Sequence, residues 1–135
     1  MQKLIIKGKK ELIGKISISG SKNATLPILA ASILARKIKL NNIPLVKDIF
    51  TMVELLNFKK QKKKFIKKKN IIEIQNKEKN IKTLAPYKLV KTMRAGVLVL
   101  GPLLSKYGKA KVSLPGGCAI GTRPVDLHLF ALKKL

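Results

Sequence analysis

The chain has 135 residues, 46% of them hydrophobic, with 30 Lys and Arg against six Asp and Glu, a net charge of +24 and one cysteine. That length suits one domain with a core, and a lone cysteine excludes an internal disulfide and suits a reducing, cytosolic compartment. The longest apolar stretches, 24–35 and 95–104, are too short and too interrupted to span a bilayer, and the N-terminus lacks the apolar core of a signal peptide. A soluble, cytoplasmic protein is the expectation.

Charge of this size suggests nucleic acid first, because Lys and Arg neutralise phosphates. Only Arg36, Arg94 and Arg123 are arginine, however, while base readout favours arginine, and aromatics at 4% leave few stacking platforms. The abundance of Lys, Ile and Asn points to compositional drift rather than to a binding site. Nucleic acid is therefore not the expected partner, and a Lys-rich, nonspecific nucleic-acid-binding module is the alternative reading.

Residues 4–7 and 12–19 alternate apolar and polar side chains and predict a hairpin or two adjacent strands. Residues 24–35 are rich in Ala, Leu and Ile and predict a helix buried on nearly every face, with Pro27 in its first turn. Lys22 and Asn23 then lie at a glycine-preceded helix start, where the helix dipole favours an anion; Asn23 could equally be a plain cap. Residues 38–43 predict a strand closed by Pro44. Val46, Ile49, Phe50, Val53 and Leu56 predict an amphipathic helix over 46–58.

The lysine block at 59–64 reads as a solvated, self-repelling run. After it, 65–66 and 71–74 predict a basic hairpin turning near Lys69-Asn70. Pro86 opens a helix predicted over 87–100 that carries Lys88, Lys91 and Arg94 on one side and ends or kinks at Gly101-Pro102. Residues 109–114 predict a strand and 125–135 a helix. The order is that of a repeated α/β unit, begun twice and finished once, with the apolar helices inside and sheets outside. The chain stops within its last predicted helix, which reads as a truncation.

Between the last two elements lies a glycine-rich loop, Leu-Pro-Gly-Gly-Cys-Ala-Ile-Gly-Thr-Arg-Pro over residues 114–124. Glycines on both sides of Cys118 free the backbone for tight turns, and Pro124 places Arg123 at a helix start. Lys22, Arg94, Cys118 and Arg123, if gathered, would set a thiol beside a point charge and two planar forks suited to phosphate or carboxylate. Such a thiol can serve as nucleophile or proton donor. No metal set is visible, and His128, the only histidine, reads as an ordinary helix residue.

Three motifs carry a resemblance: Gly20-Ser21-Lys22-Asn23-Ala24-Thr25-Leu26-Pro27, Leu89-Val90-Lys91-Thr92-Met93-Arg94-Ala95, and Ser113 through the Cys118 loop to His128. In this order they resemble the bacterial UDP-N-acetylglucosamine 1-carboxyvinyltransferase family of enolpyruvyl transferases, over the whole chain. The first motif is partly shared with the enolpyruvylshikimate-phosphate synthases, and the cysteine loop favours the amino-sugar branch. The resemblance implies an inside-out α/β barrel built from repeated βαβαββ units, present as an incomplete fragment. Residues 1–20 would pack with a second, missing domain, and 21–135 would form an incomplete first domain.

The implied reaction transfers the enolpyruvyl group of phosphoenolpyruvate to the 3-hydroxyl of UDP-N-acetylglucosamine and releases phosphate, the first committed step of peptidoglycan precursor synthesis. By motif, Cys118 would be the proton donor, could form a covalent adduct with phosphoenolpyruvate and would be the fosfomycin target. Lys22, Asn23, Arg94 and Arg123 would bind phosphoenolpyruvate, and Arg94, Arg123, Pro124, Val125, Asp126 and Leu127 the UDP-sugar. No cofactor or metal is implied. Family members are about three times this length, and the base and the closing arginines lie in their later part, so the isolated chain is expected to be inactive.

Overall fold

A computed structural model describes residues 3–9, 11–57, 62–66, 69–76, 84–85, 87, 90, 93–113 and 125–134. Helix α1 spans Lys22–Ala31, two residues ahead of the predicted start. Its N-cap is Ser21 in extended conformation, whose Oγ accepts from the Ala24 N–H at 3.3 Å, so one of the helix's unpaired donors is satisfied. Pro27 consequently falls in the second turn, not the first, and cannot donate to the Asn23 carbonyl.

Burial of α1 is one-sided, contrary to the sequence expectation. Thr25, Leu26, Leu29 and Ala30 are buried, whereas Ala24, Pro27, Ile28 and Ala31 are exposed. The buried side packs on helix α2, Lys47–Asn57, and on a 3-10 helix, Arg94–Val99. In α2 the core face is Ile49, Met52, Leu55 and Leu56, a helical repeat that leaves Phe50 outside.

Strand β1, Lys37–Leu40, joins β2, Lys62–Ile66, and β3, Ile71–Gln75, in an antiparallel sheet of order β1-β3-β2. The predicted basic hairpin is present, and its first strand begins earlier than expected, at Lys62. Ile38 pairs with Ile74 and Leu40 with Ile72; Ile72 and Ile74 are fully buried against the helices.

The helix predicted over 87–100 is divided. Tyr87 and Val90 are helical, but Met93 is extended (φ −143°), and the 3-10 helix follows before α3, Leu100–Tyr107. Gly101-Pro102 therefore opens a helix where it was expected to end one, because Pro102 in a first turn forfeits no hydrogen bond. Helix α3 stops at Gly108, whose φ of 67° suits glycine and whose N–H donates to the Leu104 carbonyl at 2.8 Å.

A short parallel pair, β4 (Leu84–Ala85) with β5 (Lys111–Val112), and an exposed helix α4, Asp126–Lys134, complete the described elements. Of the strand predicted over 109–114, Lys111 and Val112 form β5, residues 109, 110 and 113 do not, and Leu114 lies outside the described residues. Residues 3–9 and 11–19 form no strand at all, and Leu4, Ile6, Leu12, Ile13 and Ile16 are exposed. A hairpin needs partners to persist, and none covers this segment among the described residues. Nor is any described helix long and apolar enough to cross a membrane.

The turn that follows α1 is held by distant side chains. Asn76 is buried; its Nδ2 donates to the Ser32 carbonyl at 2.6 Å and also to the Ala35 carbonyl, and its own N–H donates to the Arg36 carbonyl. Lys106 Nζ, in the last turn of α3, donates to the Ile33 carbonyl at 2.7 Å. The last carbonyls of α1 itself accept from the N–H groups of Ser32, Ile33 and Leu34, so the distant donors serve the turn between α1 and β1, and Lys106 lies just past the negative end of the helix dipole.

Candidate active site at the start of α1

Lys22 is the first residue of α1, and its Nζ lies 3.0 Å from Asp48 Oδ2 in the first turn of α2. Both side chains stay substantially exposed, at 47% and 39%, so the ion pair leaves the lysine reachable by an incoming anion. Asn23 beside it is exposed as well. A lysine cation and a helix N-terminus together favour a phosphate or carboxylate here.

The approach to this corner is fixed on its other side by Asn42. The Gly20 N–H donates to Asn42 Oδ1 at 3.1 Å, and Asn42 Nδ2 donates to the Ile18 carbonyl at 3.4 Å. Asn42 is held in the left-handed region (φ 53°), which asparagine tolerates better than most residues. Gly20 packs so closely on this turn that an added Cβ would stand 1.8 Å from the Asn42 carbonyl oxygen. Only glycine fits there. Sequence reading gave no weight to Asn42 or Asp48. The signals were slight: an asparagine before Ile-Pro, and the only acid in the first turn of α2.

Arg94 heads the 3-10 helix that packs on α1, so the fold brings the second motif's element to the first. Val125, Asp126 and Leu127 form the start of α4, with Val125 half-buried, Asp126 in the first turn and Leu127 exposed. His128 is exposed on the same helix, in keeping with an ordinary helix position. Cys118, Arg123 and Pro124 lie outside the described residues, as do Lys88 and Lys91. Helix α1, which begins with Lys22 and Asn23, thus packs on the element that begins with Arg94. Among the described residues no group of three or more His, Cys, Asp or Glu could hold a metal.

A family profile described as EPSP synthase (3-phosphoshikimate 1-carboxyvinyltransferase) matches residues 6–135. The chain belongs to the EPSP synthase family. Within it, the chain is 62% identical, along its whole length, to a UDP-N-acetylglucosamine 1-carboxyvinyltransferase of Pelagibacter ubique (strain HTCC1062), of which it covers 32%. Identity to proteins of the same name is 55% in Rickettsia bellii (strain OSU 85-389) and 54% in Rickettsia prowazekii (strain Madrid E), again over the whole chain and 32% of each relative. The chain thus spans about a third of the length of the curated relatives it matches.

Among solved structures, the enolpyruvyl transferase NikO from Streptomyces tendae matches with a TM-score of 0.62 at 18% identity, over 68% of this chain and 21% of that one. At such identity the likeness speaks to the fold alone. It agrees with the α/β architecture expected of an incomplete EPSP synthase-family domain.

Proposed function

We propose that this chain supplies the phosphoenolpyruvate- and UDP-sugar-binding part of a UDP-N-acetylglucosamine 1-carboxyvinyltransferase, an enzyme of peptidoglycan precursor synthesis in the cytoplasm. The observation that carries the reading is the 62% identity along the entire chain to a relative of that name, with the Lys22-Asn23 motif at an exposed helix start. In this reading residues 21–135 belong to the first of two domains. Residues 3–19, with their uncovered isoleucines and leucines, become strands when the second domain is there to pack with them.

The chemistry follows from residue types. Lys22 and Asn23 bind phosphoenolpyruvate at the start of α1, with Asp48 setting the direction of the lysine. Arg94 and Arg123 hold anionic groups of both substrates by paired N–H donors. Cys118 delivers a proton to the methylene carbon of phosphoenolpyruvate while the sugar 3-hydroxyl, giving its proton to a base in the later part of the enzyme, adds to C2; loss of phosphate from C2 together with a proton from C3 then restores the double bond. Protonating the enol carbon builds positive charge at C2, and fixed polar groups around it lower the barrier without solvent reorganisation. Pro124, Val125, Asp126 and Leu127 line the UDP-sugar side. Cys118 is also the nucleophile toward fosfomycin.

The test joins this chain to the C-terminal two-thirds of the Pelagibacter relative and follows phosphate release. Release that requires both phosphoenolpyruvate and UDP-N-acetylglucosamine, and falls by at least ~100-fold in Cys118→Ser, is the expected result. Release with 3-phosphoshikimate but not with the UDP-sugar would move the chain to the other branch of the family. Undiminished fosfomycin labelling in Cys118→Ser would remove the thiol from its role.

A further inference from the structure

Asn42 belongs to none of the three motifs, yet its side chain is bonded to the approach of the first. Its Nδ2 donates to the Ile18 carbonyl at 3.4 Å and its Oδ1 accepts from the Gly20 N–H at 3.1 Å. These are the carbonyl before Ser19 and the N–H after it. In extended chain two such groups point to the same side, so one amide answers both as a neighbouring strand would.

Asn42 is the anchored partner of this pair. The residue after it, Ile43, is buried, and the Ile43 N–H donates at 2.9 Å to the carbonyl of Asn70 in the turn between β2 and β3. On the other side Ile16 and Ile18 are exposed, and no core contact holds them among the described residues. The backbone from Ile18 to Gly20 therefore takes its place from Asn42, and the missing Cβ of Gly20 is what lets the two approach. Six residues further on, Asp48 pairs with Lys22. The link from β1 into α2 thus grips the motif twice, once by the backbone ahead of the Ser21 cap and once by the lysine head.

We propose that Asn42 is a positioning residue for phosphoenolpyruvate: it fixes the chain at Ile18 and Gly20 from which Lys22 and Asn23 reach that substrate. The inference rests on the transferase reading and adds to it a residue outside the motifs. Both bonds of Asn42 lie at the surface, where water replaces a hydrogen bond with little net change in stability. What they determine is place, and a displacement of about 1 Å in a group that orients substrate can cost ~100-fold in rate.

The experiment measures steady-state phosphate release by this chain joined to the C-terminal two-thirds of the Pelagibacter relative, varying each substrate in turn. Asn42→Gly keeps the left-handed backbone without strain and removes both side-chain bonds. It is expected to raise KM for phosphoenolpyruvate at least ~10-fold while KM for UDP-N-acetylglucosamine stays within about 3-fold of the native value. A merely structural residue gives no such split, because partial unfolding lowers kcat with the active fraction and leaves both KM values in place. Asn42→Asp keeps the acceptor for the Gly20 N–H and loses the donor to Ile18, so its KM for phosphoenolpyruvate should fall between the native and glycine values.

A phosphoenolpyruvate KM unmoved by Asn42→Gly, a fall in kcat alone, an equal rise in both KM values, or an aspartate variant no better than the glycine one would each overturn the proposal. If the native joined enzyme releases no phosphate, the transferase reading fails and this inference with it; any of the other results in an active native enzyme strikes the inference alone. Should Asn42→Gly lack a cooperative thermal transition, Asn42→Asp decides: a phosphoenolpyruvate KM raised at least ~3-fold with the sugar KM unmoved supports the proposal, and an unmoved one overturns it.

Discussion

Residues 11–19 and strand β3 share one alternation of apolar and polar side chains, yet Ile13 is 90% exposed while Ile74 is fully buried. The difference is neighbours. β3 is paired on both edges and its Ile72 and Ile74 enter the core, whereas no described strand or helix covers 11–19. Alternation tells which side of a strand is apolar; it does not tell what will cover that side. Burial of an aliphatic side chain contributes about 1.5–3 kcal/mol, and the exposed aliphatics of the N-terminal segment gain none of it from the described residues.

The sharpest way to expose that contrast is a pair of truncations. Leu29→Ala, at a fully buried position of α1, is expected to destabilise the chain by about 2–5 kcal/mol in urea titration. Ile13→Ala in the same titration should shift stability by no more than about 0.5 kcal/mol. A large loss from Ile13→Ala would mean that the segment is covered after all.

Gly20 stands where the two regions join, and a methyl group there has no room. Gly20→Ala should cost about 1–3 kcal/mol, the range for overpacking, and should raise amide hydrogen exchange at the start of α1. Unchanged exchange at residues 20–24 would contradict the close approach to Asn42. Asn76→Ala removes the two donations to the turn after α1 and should cost a comparable ~1–3 kcal/mol, seen as a lower thermal midpoint. Asn76→Asp, which keeps the shape but replaces the donating amide with an acceptor, should not rescue it.

A small effect on stability is expected at the candidate site. Asp48→Asn removes a largely exposed ion pair, so stability should move by less than ~1 kcal/mol and the change should fade in high salt. Its consequence should instead appear in phosphoenolpyruvate binding by the joined enzyme, because Lys22 loses the group that directs it. A stability loss as large as that of Leu29→Ala would make Asp48 a structural residue.

Much of the covered region was legible in the sequence. β1, α2 and the basic hairpin follow from periodicity and turn residues, because each has both an apolar face and a neighbour to receive it. Two elements were misread for physical reasons. The Ala, Leu and Ile run suggested a helix start at Ala24 with Pro27 in the first turn, but the Ser21 cap fixes the start two residues earlier and the proline is tolerated one turn further in. The run 87–100 has helical spacing throughout, yet Met93 is extended and the chain restarts, with Pro102 opening α3.

The site was legible as a motif and illegible as geometry. Lys22 and Asn23 could be placed at a helix start from Gly20-Ser21 alone. Their fasteners Asp48 and Asn42 are 26 and 20 residues from Lys22 in the chain, and nothing local marks them as its neighbours.

The turn that follows α1 also orders events during synthesis. Its carbonyls at Ser32 and Ala35 are reached by Asn76, 44 and 41 residues downstream, and that of Ile33 by Lys106, 73 residues downstream. A nascent chain emerging from the ribosome can form α1 on its Ser21 cap, its last carbonyls taken by the N–H groups of Ser32, Ile33 and Leu34, but the turn after it lacks these side-chain donors until residue 76 and then residue 106 have appeared. The connection from α1 to β1 therefore settles after the helix does, and a translational pause between residues 76 and 106 would hold it with the Ile33 carbonyl still open to water.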